Sequence, residues 1–277
     1  MCNRMSLPWP PQINTSLKYD VNMRVIEVAS LIKESLKSKT PSSIIRLGDG
    51  EAAVVGYPEF TPTNEFERNL RVFFGKNTLN KQQQLAFIQQ VKTAISQADI
   101  IGVHSGDVVT RSNVIRYFMD VYNLVSPNTK IAGSSLHRNL QELNLYKTFL
   151  NNLDEIGIIT CRDVTENIKK TFHIKNVIVY NVPEEVKFAK DKNSVSRHYP
   201  ERFEELRNTL IVPKAGTLFL VGAGPLGKVY CQWIKEKGGI ALDIGSVFDA
   251  WAGLNTRRYM EDSEGNFDNK YALLPSR

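Results

Sequence analysis

The segment "LFLVGAGPLGKVYCQWIKEKGGIALDIG", residues 218–245, holds three elements in a row. A short apolar run at 218–221 ends in a glycine turn. Leu226, Val229, Tyr230, Trp233 and Ile234 then recur at i, i+3, i+4, i+7 and i+8, which marks one face of a helix stopped by Gly238-Gly239. A second apolar run follows at 240–242. Both runs are continuous rather than alternating, as expected of strands covered on both faces in a parallel sheet. The segment is therefore predicted as a βαβ unit.

The same grammar extends through the chain. Strands are predicted at 43–47, 99–103, 129–132, 156–160, 176–180, 217–221 and 240–242. Between them, Leu85, Ile88, Val91 and Ile95 form one helical stripe, and Val114, Phe118, Val121 and Val125 form another. Alternating strands and helices predict an α/β fold: one Rossmann-like domain with a mainly parallel sheet and helices on both faces. No internal repeat, low-complexity tract or linker divides the middle. The expected organisation is a proline-rich segment at 1–19, a domain at 20–255 and a polar tail at 256–277 without helical or strand period.

The 277 residues carry a formal net charge of +6, with 42% hydrophobic and 23% charged residues. This is ordinary globular composition. The basic excess suits an anionic ligand and permits peripheral contact with an anionic membrane, while no nucleic-acid partner is expected. Cys2, Cys161 and Cys231 are too few and too scattered for a disulfide framework or a zinc site, and the last two are read as buried thiols. The first residues have no continuous apolar core of a signal peptide, and no run approaches the ~18 residues that span a bilayer. A cytoplasmic location is the expectation.

Open sheets of this kind bind ligands beyond the carboxyl ends of their strands. Those ends read Gly48-Asp49-Gly50-Glu51, His104-Ser105-Gly106-Asp107, Gly133-Ser134-Ser135, Cys161-Arg162-Asp163, Asn181, Gly222-Ala223-Gly224 and Asp243-Ile244-Gly245. In an extended or turn backbone, Asp49 and Glu51 can point to one side, with Gly50 permitting the bend. Two hard oxygen ligands suit Mg²⁺ or Mn²⁺, which share their remaining positions with phosphates and water. The competing reading makes Asp49 the cap of a short helix beginning near Glu51. A capping box would then want Glu or Gln at position 52, where Ala52 stands.

Gly222-x-Gly224-x-x-Gly227, with Asp243 about 20 residues on, has the form of a dinucleotide fingerprint before a phosphate-favouring helix N-terminus. Against a nicotinamide or flavin enzyme, only 55 residues follow Gly222, and Pro225 offers no N–H to a phosphate. A phosphate-facing turn and a tight turn that needs glycine for packing both remain open. His104 and His137 fall in loops on the ligand side, whereas His173 and His198 look peripheral. Neither an H-E-x-x-H pair nor a G-x-S-x-G elbow occurs, so zinc and serine hydrolases have no support. Arg46 and Arg162 could bind a diphosphate or pair with neighbouring acids. The basic, irregular stretch 183–200 could be a lid over an anionic ligand or an ordinary solvated loop.

"IIRLGDGE" (44–51), "IITCRD" (158–163), "SRHYPERFEEL" (196–206) and "LVGAGPLGKVYCQWIKEKGGIALDIGSVFDAWAG" (220–253) together resemble the bacterial GT-D-type glycosyltransferases. The resemblance runs from about Ser43 to Gly253. It implies that Asp49 and Glu51 bind a divalent cation, Mn²⁺ or Mg²⁺, together with a nucleotide-sugar donor. Arg46, Gly48 and Gly50 match the same block, and Leu47 stands where the family usually has phenylalanine. The implied activity is metal-dependent transfer from a nucleoside diphosphate sugar, with a UDP-sugar expected, to a bacterial glycan, glycoprotein or lipid-linked acceptor. The metal would neutralise the departing diphosphate, and the glycine turn at Gly222, Gly224 and Pro225 would lie near the same anion. His104, Asp107, His137 and Asp243 are the possible bases for an inverting reaction, and His104, Ser105, Asp107 and Arg162 are further ligand-side contacts. The alternatives are an NAD-type oxidoreductase, which the glycine fingerprint would favour, and a non-catalytic nucleotide-binding module.

Overall fold

Seven strands form at the seven apolar runs: β1 (Ser42–Arg46), β2 (Ile100–Val103), β3 (Lys130–Gly133), β4 (Glu155–Thr160), β5 (Asn176–Asn181), β6 (Leu218–Val221) and β7 (Ile240–Asp243). The structure is a computed structural model that describes residues 9–13, 15–75, 79–188 and 197–273. All seven strands pair in parallel in one sheet of order β3-β2-β1-β7-β6-β4-β5. Every carboxyl end therefore meets at one edge, with β1, β7 and β6 in the middle.

Eleven α-helices connect the described strands: α1 (Val25–Ser38), α2 (Asp49–Val55), α3 (Thr63–Phe74), α4 (Lys81–Ser96), α5 (Ile115–Val121), α6 (Leu136–Glu142), α7 (Tyr146–Leu150), α8 (Thr165–Phe172), α9 (Phe203–Thr209), α10 (Leu226–Glu236) and α11 (Val247–Trp251). Successive strand residues face opposite sides and feed two cores. Ile45, Ile101, Phe219 and Ala241 meet Phe66, Phe87, Phe118 and Tyr230 on one side. Ile44, Ile100, Leu218 and Leu242 meet Ile32, Leu140, Phe149 and Trp251 on the other. The expected two-faced sheet is present.

Two helical stripes shift from their predicted places. In α4 the inward face is Phe87, Ile88, Val91, Ala94 and Ile95, while Leu85 is exposed. Phe87 has far more apolar surface to bury, so it sets the rotation of the helix. The second stripe ends early, because α5 stops at Val121, which is exposed.

The C-terminal residues form more structure than their composition suggests. Residues 254–273 cross back over α6 and α11 as a strap with two short turns, Arg258–Met260 and Asn269–Tyr271. Met260 and Tyr271 are buried with Ala250 in a small third core. Gln141 Nε2 donates to the carbonyls of Lys270 (3.1 Å) and Ala272 (3.2 Å), and the Tyr271 hydroxyl bonds Glu142. At the other terminus, the fully buried Arg116 donates to the carbonyls of Leu17, Lys18 and Gly106 and pairs with Asp20. No helix among the described residues is long and apolar enough to cross a membrane.

Candidate active site

A cleft of about 570 Å³ opens along the carboxyl edge of the sheet. It is lined from the ends of β1, β2, β3, β4, β6 and β7, from one face of α3 and from the segment that begins at Pro183, and His198, Arg257 and Tyr259 also contribute to its wall. Its location follows from the topology: parallel strands point their carboxyl ends, and the loops that follow them, to one side.

The block after β1 is helical, which changes the reading of its two acids. Helix α2 starts at Asp49 and is preceded by Gly48 as cap. Glu51 is thus the third helical residue, and its Oε2 accepts from the Gly48 N–H at 3.0 Å, the return half of a capping box. The expected cap at Asp49 is displaced by one residue, so the Glu-or-Gln position falls on Glu51 rather than Ala52. At 3.6 residues per turn, Asp49 and Glu51 stand roughly 200° apart around the axis. Asp49 is exposed in the cleft, while Glu51 is buried. Gly50 is not a bend but a close approach: a Cβ there would lie 2.8 Å from Phe73 Cζ.

Glu51 points at Lys228, in the first turn of α10. The Lys228 ammonium lies 2.8 Å from Glu51 Oε1, 3.0 Å from Asp243 Oδ2 and 3.2 Å from the Gly224 carbonyl. The ammonium thus lies within 3.2 Å of two carboxylates and a carbonyl, drawn from the start of α2, the turn after β6 and the end of β7. Arg46, the last residue of β1, adds a second cation. It donates to the carbonyls of Asp243 (3.2 Å) and Ser134 (3.3 Å), and its Nη2 lies 3.6 Å from Asp243 Oδ1. Burial pushes both carboxyls up, but Lys228, helped by the Gly48 N–H at Glu51 and by Arg46 at Asp243, holds them below the usual carboxylate range. Burial pulls Lys228 down, and the two carboxylates more than offset it, holding the ammonium above its usual value. Glu51, Asp243 and Lys228 are thereby all held in their charged forms at neutral pH.

The remaining side chains divide sharply. Arg162 is committed, with Nε 2.6 Å from Asp249 and Nη1 2.5 Å from Glu184. Both Arg46 and Arg162 pair with neighbouring acids. His137 lines the cleft, and burial, with Arg46 and Arg138 nearby, drives its pKa well below normal. His104 also lines the cleft but is exposed at its rim; partial burial lowers its pKa, and the charge of Asp49 opposes that shift. Ser105 and Asp107 do not line the cleft. The buried Arg116 and Asn113 both grip the Gly106 carbonyl (3.0 and 3.1 Å), which turns this loop toward the N-terminal segment instead.

Gly222, Gly224 and Pro225 do line the cleft. Gly224 has φ 53°, and the space a Cβ would fill is taken by Glu185 Oε1 at 2.7 Å. That carboxylate is paired with Lys187 at 2.5 Å, and the Gly224 carbonyl faces Lys228. His198, expected to be peripheral, is instead buried in the cleft wall, its Nε2 2.9 Å from the Tyr230 hydroxyl. Pro183, Glu184, Glu185, Lys187 and Phe188 also line the cleft, while 189–196 of the expected lid lie outside the described residues. Cys231 is buried as expected, and Cys161 is half-buried at the cleft.

A divalent cation fits only part of the expected pair. Both Glu51 oxygens are engaged, whereas Asp49 presents an open carboxylate without an ion pair among the described residues. Among those residues no group of three or more His, Cys, Asp or Glu side chains could hold a metal ion. One open carboxylate matches an ion that takes its other oxygens from substrate phosphates and water. Lys228 is the residue that sequence reasoning missed. A signal existed: a lysine in the first turn of a helix is opposed by the helix dipole, so it needs carboxylates from elsewhere.

Comparison with known proteins agrees with this geometry. The model of the GT-D-like family, described as a GT-D fold-like domain, matches residues 23–251. A solved structure of domain of unknown function 1792, in its selenomethionine form, is 13% identical, with TM-score 0.51 over 90% of this chain and 92% of that one. A structure described as a new glycosyltransferase (DUF1792) from Streptococcus sanguinis is also 13% identical, with TM-score 0.50 over 88% and 94%. No curated protein matches the sequence. With the family model covering most of its length, from before β1 to the end of α11, the chain belongs to the GT-D-like family.

Proposed function

We propose that this cleft binds a nucleoside diphosphate sugar and transfers its sugar to an acceptor hydroxyl, with Asp49 as the carboxylate that engages the donor. The observation that carries the reading is Asp49, exposed at the carboxyl end of a central strand and the one cleft-lining acid without an ion pair among the described residues. A divalent ion, Mn²⁺ or Mg²⁺, would be held by Asp49 and would supply charge neutralisation of the leaving diphosphate. Glu51 acts one step back: it fixes the start of α2, and so the position of Asp49, through Gly48 and Lys228. Among the four possible bases, Asp107 lies off the cleft, Asp243 is locked to Lys228 and Arg46, and His137 is buried. His104 is neutral at neutral pH and open to the cleft, so it is the group placed to accept the acceptor's proton. A UDP-sugar donor and a glycan, glycoprotein or lipid-linked acceptor complete the proposal.

The proposal is tested by thermal unfolding with UDP and Mn²⁺ or Mg²⁺, against NAD and NADP. A ligand that binds the native state raises its melting temperature by mass action. A rise with UDP plus metal and none with the dinucleotides is expected. A rise with NAD or NADP alone would return the glycine turn to the oxidoreductase reading.

A further inference from the structure

The family match ends at residue 251, yet the cleft does not. Two of its wall residues, Arg257 and Tyr259, come from the C-terminal strap. They are held there on both sides. Thr256 Oγ1 donates to Asp249 Oδ2 at 2.6 Å, and the other oxygen of that carboxylate takes Arg162. The Tyr259 hydroxyl lies 2.7 Å from Ser246 Oγ, its ring packs edge-on to His137 at 5.9 Å, and Arg138 lies over its face. The strap is therefore built into the wall, with Arg257 between two anchored residues.

The charges that line the cleft separate into committed and open ones. Arg46, Arg162, Lys187 and Lys228 each have a carboxylate partner in the cleft itself. Arg68 pairs with Glu65, and Arg138 approaches Glu142. Arg257 has no ion pair among the described residues. Its guanidinium carbon instead lies 4.8 Å from the centre of the Phe188 ring, a cation–π contact that leaves the charge without a carboxylate partner. Asp49 is the open acid of the same cleft, and Arg257 the open cation. A ligand suited to both brings an anion for Arg257.

We propose that Arg257, carried into the cleft by the strap beyond the family-matched region, is a binding residue for a phosphoryl anion of the ligand. The inference rests on the reading of the cleft as a nucleoside diphosphate site. The same phosphoryl chemistry could come from the donor diphosphate or from a phosphate-bearing acceptor, and a guanidinium serves either.

The test is calorimetric titration of the full chain with UDP, uridine and inorganic pyrophosphate, using Arg257→Gln, Arg257→Lys and Arg258→Gln. The neighbouring Arg258 is exposed and does not line the cleft, so it controls for a loss of general positive charge. Losing a charge-assisted contact should weaken UDP and pyrophosphate by about tenfold to a hundredfold in Arg257→Gln. Uridine should be unaffected, the lysine variant should recover part of the loss, and Arg258→Gln should match the wild type. Arg257-dependent binding of pyrophosphate to protein already saturated with UDP would assign the anion to the acceptor; its absence assigns it to the donor. Equal UDP and pyrophosphate affinities in wild type and Arg257→Gln overturn the proposal while leaving the nucleotide site intact. Wild-type binding of pyrophosphate without UDP removes the nucleotide reading instead, and the Arg257 variants still decide the anion contact. Binding of neither removes both.

Discussion

Asp49 and Glu51 differ by one glycine in sequence and by their whole environment in the fold. The helix that begins at Asp49 separates them, so their amide variants should behave differently. Asp49→Asn is expected to melt like the wild type and to slow sugar transfer about a hundredfold, as for ~3 kcal/mol of lost charge stabilisation. Glu51→Gln leaves Lys228 short of one buried anionic partner and should cost about 2 kcal/mol of stability. Parallel melts and turnover assays check both; equal melting temperatures for the two variants would return Glu51 to the open, shared role that the Asp-x-Glu spacing suggested. A histidine supplies a second residue-scale forecast. Burial, with Arg202 nearby, brings the His198 pKa down to about 3 from the ordinary 6.5. A depressed folded value means the stabilisation is complete above the unfolded pKa and is lost as pH falls from about 6.5 toward 3, with a slope up to ~1.4 kcal/mol per pH unit. His137, also depressed, adds to the same window. Denaturant unfolding between pH 7 and 4.5 should therefore decline less steeply in His198→Gln than in the wild type. Identical slopes would mean that His198 is not held neutral.

At the scale of elements, much was legible and one kind of feature was not. Several apolar runs, such as 156–160 and 240–242, are short and continuous because a central parallel strand has core on both faces, whereas the edge strand β5 has no fully buried residue. The strand ends were legible as ligand loops for the same topological reason. What no run or spacing conveys is which loops touch, and the Lys228 contact to Glu51 and Asp243 joins residues 177 and 15 positions apart. This contact makes a forecast. Lys228→Met leaves two buried carboxylates with Arg46 as the cation near Asp243, and should destabilise by roughly 3–5 kcal/mol. Adding Glu51→Gln removes one uncompensated charge, so the double variant should be more stable than the sum of the single losses. A double-mutant cycle by denaturant unfolding measures the coupling; simple additivity would show that Lys228 does not bind the three loops together.

The whole molecule is two large cores on one sheet plus a small third core under the strap, and that division has consequences for function. Composition hid the strap, since "TRRYMEDSEGNFDNKYALLPSR" has no period and its anchors, Met260 and Tyr271, are isolated apolar residues in polar sequence. Such anchors are recognisable only once Ala250 and α6 lie beside them. The third core is a satellite cluster, and clusters of this size open locally at lower free energy than the main cores. Met260 is completely buried there, so Met260→Ala should cost the strap about 2–5 kcal/mol. If the strap opens on its own, that loss appears as faster tryptic cleavage after Arg257 and Arg258 under conditions where the sheet stays folded, with little change in the global melt. Anion binding should weaken alongside, because Arg257 is positioned by the same anchors. If instead the strap unfolds only with the domain, the full loss must appear in the global unfolding free energy, and cleavage after Arg257 must track it. Measuring proteolysis rate and unfolding free energy on the same variant separates the two outcomes.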